Sequence, residues 1–144
     1  MSAEPTKVFM NFPVADLAKA TAFYEAIGAT RNPQFSDGKN AACMVFSDCI
    51  HVMLLTHAFF RTFTPKQITD SRSSTEVLVC LSAESREAVD ATVEKAAQLG
   101  RIDPTPPDDH GFMYGRSLED PDGHNIQIMW LDVEAMKAAQ AQAA

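Results

Sequence analysis

The chain has 144 residues, a length that suits one ordinary domain. Its hydrophobic content of 46% argues against disorder, and its net charge of −7 argues against partners such as nucleic acid or an anionic membrane surface. No apolar run reaches the roughly 18 residues that span a bilayer, and residues 1–5 lack the basic and apolar regions of a secretory signal. These properties predict a cytoplasmic protein.

The first part of the chain predicts a strand, a helix and three more strands. Residues 7–14 are rich in β-forming side chains, Asp16 is a candidate helix N-cap, and Gly28 is placed to end the helix. Short strands are predicted near 30–32, 41–46 and 50–55. The turn before the second of these contains an Asp-Gly pair, which is typical of tight hairpin turns.

The second part repeats this order after an irregular stretch. Residues 56–74 predict a linker whose first half is aromatic, with Phe59, Phe60 and Phe63. The predicted elements that follow are a strand at 75–81, a helix from about Ser85 to Leu99 closed by Gly100, a short strand at 101–102, a Pro-rich irregular segment at 104–107, a hairpin of 112–118 and 125–130, and an Ala- and Gln-rich helical tail from Val133 to Ala144.

The turn of that last hairpin has the sequence Asp120-Pro121-Asp122-Gly123-His124. Asp120 can cap the turn through its carboxylate, Pro121 fixes φ at the first corner, and Gly123 accepts a left-handed conformation. These roles are structural, so the segment predicts how the chain turns and does not itself predict chemistry.

The repeated order predicts an α+β fold made of two βαβββ modules. Module 1 would cover about 7–56, the linker about 57–74, module 2 about 75–131 and the tail 132–144, all within one domain. Each helix would cover one face of its sheet, and the free faces would form a curved mixed sheet that encloses a cleft. Such a cleft is a natural site for a small-molecule ligand.

This pattern resembles the vicinal oxygen chelate superfamily, the group of glyoxalases, bleomycin-resistance proteins and extradiol dioxygenases. Three stretches carry the resemblance: 11–17 with Ala22-Phe23-Tyr24 and Gly28, then 85–90 with Ala96 and Gly100, and 109–116 leading into the turn at 120–124. Together with the strands between them, they cover residues 7–131.

The resemblance implies a divalent metal held by four side chains, from the first and last strand of each module. In this chain those positions fall on Phe9, on Met53 or its neighbour Leu54, on Glu76 and on Gln127. Phe and Met are not ligands for such a metal, Glu76 is one, and Gln127 replaces the usual Glu. His51 would serve only if the strand register slipped by two residues. A divalent metal cofactor is therefore possible, with Glu76 and Gln127 as an incomplete ligand set, but it is not favoured.

We accordingly expect a protein that binds a small organic ligand in an apolar cleft without the usual metal site, and a homodimer. The predicted ligand-binding residues are Phe9, Met53, Phe59, Phe63, Tyr114, Arg116 and Gln127. The alternative is a lyase or a dioxygenase-type enzyme that uses Glu76 as catalytic base or partial metal ligand, and a third possibility is an interaction role with a vestigial cleft. Whether the protein is an enzyme stays open at this stage.

Several other side chains have two interpretations. Arg116 could meet an anionic substrate or pair with Glu119, and His110 could lie at the cleft mouth or simply in a solvated loop. The aromatic side chains of the linker could cover a ligand, form a dimer contact or pack in the core. The three cysteines, Cys43, Cys49 and Cys80, are odd in number and lack C-x-x-C spacing, which predicts reduced, buried thiols.

Overall fold

A computed structural model describes residues 3–143, which form two compact units. The first unit extends to Ser71 and the second begins at Arg72. Met1, Ser2 and Ala144 lie outside the described residues. Met1 and Ser2 belong to the segment that was predicted not to be a secretory signal, and Ala144 is the last residue of the predicted tail helix.

The first unit is a four-stranded sheet with a helix on one face. Its strands are β1 (Val8–Val14), β2 (Thr30–Asn32), β3 (Ala41–Val45) and β4 (Ile50–Thr56), arranged in the order β1-β4-β3-β2. Its helices are α1 (Leu17–Ala26), a 3₁₀ turn at Pro33–Phe35 and α2 (His57–Phe60). Strand β1 runs parallel to β4, and the other neighbours are antiparallel.

Local signals fix both ends of α1. Asp16 is its N-cap, and the carboxylate accepts a hydrogen bond from the Lys19 N–H at 3.0 Å. Gly28 follows the helix with φ of 113°, a conformation that costs glycine little. The apolar face of α1, with Phe23 and Tyr24 fully buried, packs on β3 and β4. Helix α1 therefore covers one face of this sheet and leaves the other face to other contacts.

The second unit repeats that arrangement. Its strands are β5 (Val79–Ser82), β6 (Arg101–Ile102), β7 (Asp108–Asp109), β8 (Met113–Glu119) and β9 (Asn125–Leu131), in the order β5-β9-β8-β6 with β7 paired to β8. Its helices are α3 (Arg86–Ala96), which packs on β8 and β9, and α4 (Val133–Ala143). Strand β5 runs parallel to β9, as β1 does to β4. The predicted α+β class and the predicted internal repeat are both confirmed.

One predicted strand begins at the wrong residue. The sequence predicted a strand over residues 75–81, whereas β5 begins at Val79. The reason is the parallel register, which pairs Val79 with Ile126. In that register Glu76 would lie opposite Gly123, inside the turn before β9, where there is no extended partner to complete a ladder.

The turn before β9 is organised by one buried carboxylate. Asp120 is 3% exposed, and its Oδ1 atom accepts hydrogen bonds from the N–H groups of Asp122 and His124, both at 2.9 Å. Gly123 has φ of 92° and donates its N–H to the Asp120 carbonyl oxygen. The predicted capping role of Asp120 and the predicted left-handed conformation of Gly123 are confirmed.

The cysteines are free thiols, but only one of them is as buried as predicted. Cys43 is fully buried, Cys49 is half-buried and Cys80 is exposed. Cys80 differs because β5 is an edge strand and its odd and even residues face opposite sides: Val79 is buried while Cys80 points away from α3. Among the described residues, no helix has both the length and the apolar character needed to cross a membrane.

Candidate functional site

The face of the first sheet that lies opposite α1 carries an aromatic pair. Phe9 on β1 lies directly across from His51 on β4, and their rings stack with centroids 4.3 Å apart and an angle of 13° between the planes. Phe9 is 49% exposed, and His51 is half-buried with its Nδ1 3.3 Å from the Val8 carbonyl oxygen. We call Phe9 and His51 the aromatic platform.

Met53 lies on the same face as the platform, two residues along β4 from His51. It is half-buried. The sequence predicted Phe9 and Met53 at equivalent positions of this face, and alternation along the paired strands places both there. His51 lies on this face as well, two residues from Met53, and the observed register pairs it with Phe9.

A pocket of about 460 Å³ adjoins the platform. It is lined by Glu4, Pro5, Lys7, Asn32, Val45, Asp48, Cys49 and His51. The lining mixes one cationic and two carboxylate side chains with the imidazole, so this pocket has no single charge preference.

The two linker phenylalanines that were predicted to bind ligand are in contact with each other. Phe59 in α2 and Phe63 just after it make an edge-to-face contact, with ring centroids 5.2 Å apart. Phe63 is 67% exposed, and α2 packs against β1 and β4. The aromatic part of the linker therefore contains a short helix, which the sequence interpretation did not predict.

In the second unit Gln127 lies on the face of the sheet opposite α3. Its neighbours across β9, Ile126 and Ile128, are buried toward the helix, whereas Gln127 is half-buried on the other side. In the register Gln127 lies between Cys80 on β5 and Ser117 on β8. It lines a pocket of about 230 Å³, here called the Gln127 pocket, together with Leu78, Asp103, Ser117, Asn125 and Ile126.

Glu76 occupies a different setting from the one predicted. It lies on a bend three residues before β5, and its side chain is exposed. It is not among the residues that line the Gln127 pocket. The structure therefore does not bring Glu76 and Gln127 together on one strand pair, which the predicted ligand set required.

Tyr114 and Arg116 lie on the other face of β8, the face that carries α3. They share this side with the fully buried Leu118, two residues further along the strand. The Tyr114 hydroxyl donates to Asp90 Oδ1 at 2.7 Å, and Arg116 Nη1 lies 3.0 Å from that oxygen and 3.0 Å from Glu94 Oε1. Tyr114 and Arg116 are thus separated from Gln127 by the sheet, and Arg116 pairs with α3 instead of with Glu119.

These contacts shift two pKa values. The hydrogen bond from Tyr114, with a further contribution from Arg116, lowers the pKa of the Asp90 carboxyl. The same hydrogen bond to Asp90 raises the pKa of the Tyr114 hydroxyl. At neutral pH the cluster therefore holds an ionised Asp90 and a protonated Tyr114, an arrangement that fastens α3 to β8.

Arg86 extends this cluster and was not singled out from the sequence. Its guanidinium makes two hydrogen bonds to the Asp109 carboxylate and lies 4.5 Å from the centre of the Tyr114 ring and 5.9 Å from that of Trp130. Arg86 comes immediately after the N-cap Ser85, and nothing in the local sequence indicates its partners. His110, which follows Asp109, is exposed, and its Nε2 atom lies 3.8 Å from Asp108 Oδ1, as expected for a solvated loop histidine.

The residues present do not fit the divalent metal that the predicted resemblance implies. Phe9 stands at one ligand position with its ring stacked on His51, Met53 offers only a thioether, and Glu76 lies on an exposed bend. Within residues 3–143, no three His, Cys, Asp or Glu side chains converge as a metal-binding group. The donor set is thus incomplete, and no step is assigned to a metal.

The sequence matches the family model of the Glyoxalase/Bleomycin resistance protein/Dioxygenase superfamily over residues 8–128. The chain belongs to this superfamily. The family confirms the predicted resemblance, and the two sheets of mixed strand orientation agree with it. No curated protein matches the sequence of this superfamily member.

Solved structures with the same fold come from several bacteria. A glyoxalase/bleomycin resistance protein/dioxygenase family enzyme from Burkholderia phytofirmans PsJN matches with a TM-score of 0.72 and 15% identity, over 86% of this chain and 97% of that one. Fosfomycin resistance protein FosX from Mesorhizobium loti gives 0.64 and 15%, over 95% and 99%. TnmS3, an antibiotic binding protein from Streptomyces sp. CB03234, gives 0.61 and 20%, over 92% and 99%. At these identities the likeness shows the shared fold alone.

Proposed function

We propose that this superfamily member binds a small organic molecule without using a divalent metal, as a ligand-sequestering protein. The observation that carries the proposal is the aromatic platform. A half-exposed Phe9 stands where the resemblance places a metal ligand, with His51 stacked beside it. Covering a partly exposed ring with a ligand is favourable by about 25 cal/mol per Å² of apolar surface removed from water.

The stacked rings of the platform each cover one face of the other, so the outer ring faces are what an apolar or conjugated part of a ligand can contact. Offset stacking on an aromatic ring contributes about 0.5–1.5 kcal/mol beyond the burial of area. Met53 on the same face adds a flexible apolar contact. The name of TnmS3 as an antibiotic binding protein agrees with such a role within this fold.

A ligand screen with a matched pair of variants tests this proposal. Small molecules that raise the melting temperature of the wild type would be retested on Phe9→Ala, with Phe35→Ala as control because Phe35 is also exposed, at 62%, but lies in the 3₁₀ turn. A ligand at 100 times its Kd stabilises by about 2.7 kcal/mol. We expect Phe9→Ala to lose this gain and Phe35→Ala to keep it. Equal loss in both variants, or no ligand from a broad screen, would contradict the proposal.

The metal part of the proposal has its own test. Protein purified without chelators or metal-affinity tags would be analysed for divalent ions, and ligand binding would be repeated with added EDTA. We expect far less than one ion per chain and an unchanged ligand-induced shift in melting temperature. One stoichiometric divalent ion that is needed for ligand binding would overturn this part and restore the usual chemistry of the superfamily.

The sequence also predicted an alternative, an enzyme with Glu76 as base or partial metal ligand. That alternative requires the exposed Glu76 to approach a ligand. Replacing Glu76 by Gln separates the two functions once a ligand is known. Binding alone predicts no change in either affinity or product formation, whereas an enzyme of the predicted kind would lose turnover.

We further propose that the protein is a cytoplasmic homodimer. Large apolar side chains remain exposed in the single chain, among them Val77 at 56% and Val133 at 45%. Strand β5, which follows Val77, lies at the edge of its sheet. An edge strand with apolar flanks favours association with a second copy, and the three free thiols suit a reducing compartment.

A further inference from the structure

Gly115 lies in the middle of β8, where glycine normally weakens a strand. Its backbone does not need glycine, because the positive-φ glycines of the described residues are Gly28, Gly38, Gly111 and Gly123. The space above it is tight, so a larger residue here would make the Gln127 carboxamide shift by a few tenths of an ångström. A Cβ atom at residue 115 would lie 3.1 Å from Gln127 Nε2 and 3.6 Å from Gln127 Cδ.

The Gln127 carboxamide therefore packs against the β8 backbone at Gly115. Its partner in the register is Ser117, so the side chain reaches the diagonal neighbour two residues along β8. Fixing a glutamine side chain in one conformation costs rotamer entropy. Gly115 offsets part of this cost by giving the carboxamide a recess, and the volume above Ser117 stays open.

The open volume is the Gln127 pocket, whose polar lining has one formal charge. Its polar side chains are Asp103, Ser117, Asn125 and Gln127, and its exposed apolar side chain is Leu78, because the side chain of Ile126 is buried on the α3 face of the sheet. Hydrogen bonds from the Thr105 side chain and from the Thr105 N–H, at 2.8 Å, lower the pKa of the Asp103 carboxyl. Asp103 is thus anionic at neutral pH, and no lysine or arginine stands among the six lining residues.

The charge of Arg101 also lowers the pKa of the Asp103 carboxyl. The Arg101 side chain is 69% exposed, and its Nη1 atom lies 3.9 Å from Glu119 Oε2. The three charges Asp103, Arg101 and Glu119 leave one net negative charge beside the pocket. The amide and hydroxyl groups of the lining can all accept hydrogen bonds.

We propose that the Gln127 pocket binds a protonated primary amine carried on a small apolar body. An ammonium has three donors and no acceptor, which matches one carboxylate, one hydroxyl and the carbonyl oxygens of two amides. Asp103 supplies the negative charge, and the Ser117 hydroxyl and the two amide carbonyl oxygens accept the remaining ammonium hydrogens. Leu78, which is 72% exposed, covers the apolar body of the ligand. Gly115 acts as a positioning residue, because the absence of its side chain lets the Gln127 carboxamide lie against the strand and leaves the pocket volume open. This inference rests on the proposed ligand-binding function and names the chemical group that one pocket takes.

A series of three probes of equal size tests the charge preference. Benzylamine, benzyl alcohol and benzoate would be titrated at pH 7 into ¹⁵N-labelled full-length protein, with the side-chain NH₂ signals of Gln127 and Asn125 as reporters. We expect saturable shifts of both signals with benzylamine, about five- to ten-fold weaker binding of benzyl alcohol, and no response to benzoate.

Variants identify the groups responsible. Asp103→Asn should weaken benzylamine about five- to ten-fold, while Glu134→Gln, the same charge change on the exposed helix α4, should leave it unchanged. Gly115→Ala should displace the Gln127 NH₂ signals and weaken the binding of benzylamine. Comparable melting temperatures would show that each variant is folded.

Three results would overturn the inference: binding of benzoate or benzyl alcohol at least as tight as that of benzylamine, an Asp103→Asn variant with wild-type affinity, or no response of Gln127 to any probe. The first would leave ligand binding in this pocket intact and correct the ligand class, and the second would remove Asp103 as the source of the charge preference. The third would remove the pocket as an amine site, while the platform screen with Phe9→Ala would still decide the proposed function.

Discussion

Asp120 shows how much one side chain can determine. Its carboxylate is buried and accepts two backbone N–H groups, and the carbonyl of the same residue accepts a third from Gly123. The turn it organises sets the pairing of β8 with β9, so that Glu119 lies opposite Asn125 and Ser117 opposite Gln127. The family motif at this turn therefore acts on the site through the strand register.

Replacing Asp120 by Ala should destabilise the protein by about 2 kcal/mol, because two part-buried N–H groups lose their acceptor. Urea unfolding followed by circular dichroism measures this. Asp48→Ala, at an exposed aspartate, is the control and should change the free energy of unfolding by less than about 0.5 kcal/mol. Equal effects of the two substitutions would show that the turn does not depend on the carboxylate.

Two exposed aspartates give the protein a predictable acid response. Hydrogen bonds from the N–H groups of Lys39, Asn40 and Ala41 lower the pKa of Asp37 to about 2, and Arg86 with the N–H of Gly111 lowers the pKa of Asp109 to about 2. Both values lie below the ordinary 3.8 of an unfolded chain. Their contribution to stability is therefore present above pH 4 and is lost as the pH falls toward 2.

Asp37→Asn should remove part of this response. We expect a flatter dependence of the urea midpoint on pH between 4 and 2 in the variant, while the slope above pH 5 stays the same. An NMR titration of the Asp37 carboxyl carbon gives the folded pKa directly. A folded value near 3.8 would contradict the role of the three N–H donors.

At the scale of elements, the polar cluster on α3 replaces part of an apolar interface. Helix α3 buries Val89, Val93 and Ala96 against the sheet, and beside them Asp90 and Glu94 meet Arg116 and Tyr114 of β8. Such a cluster restricts how the helix can rotate about its axis against the sheet, because its hydrogen bonds form only in one orientation of the helix.

Tyr114→Phe should cost about 1 kcal/mol, since it removes the hydroxyl bond to Asp90 and leaves the ring in place. The pKa of Asp90 should rise at the same time, because that hydrogen bond is the main cause of its lowering. A double-mutant cycle with Asp90→Ala, measured by urea unfolding, isolates the pair. A coupling energy near zero, or an unchanged Asp90 pKa, would show that the bond contributes nothing.

Apart from the two-residue strand β7, element order and most boundaries could be predicted from the sequence, because caps and turns are local signals. Asp16, Ser85, Gly28 and the turn at Asp120 each act within a few residues. The start of β5 could not be predicted locally, since it depends on where β9 begins to offer a partner. The short helix α2 was also missed, because the aromatic residues that form it resemble an irregular linker.

The candidate site was harder to predict for the same reason. Alternation along β8 and β9 could have shown that Tyr114 and Arg116 share a face with the buried Leu118, away from Gln127. The recess at Gly115 was not visible in the sequence, because it depends on the conformation of a side chain in the next strand. Asp103 joins the pocket only through its position after β6.

At the scale of the whole molecule, the proposed homodimer makes a simple prediction. Sedimentation equilibrium at micromolar concentration should give twice the mass of one chain, because exposed apolar side chains such as Val77 gain free energy when covered. Val77→Asp should shift the mass toward that of one chain, whereas Lys39→Asp in the exposed turn before β3 should not. A single-chain mass for the wild type would contradict the proposal.

The shared strand order β1-β4-β3-β2 and β5-β9-β8-β6 has a consequence for synthesis on the ribosome. In each unit the first strand to be translated pairs with the last, so β1 has no partner until Ile50–Thr56 has left the exit tunnel. Loop closure over that distance is a non-local, slow step. We therefore expect the hairpin of β3 and β4 to form first from local contacts and β1 to be the last strand to join its own sheet.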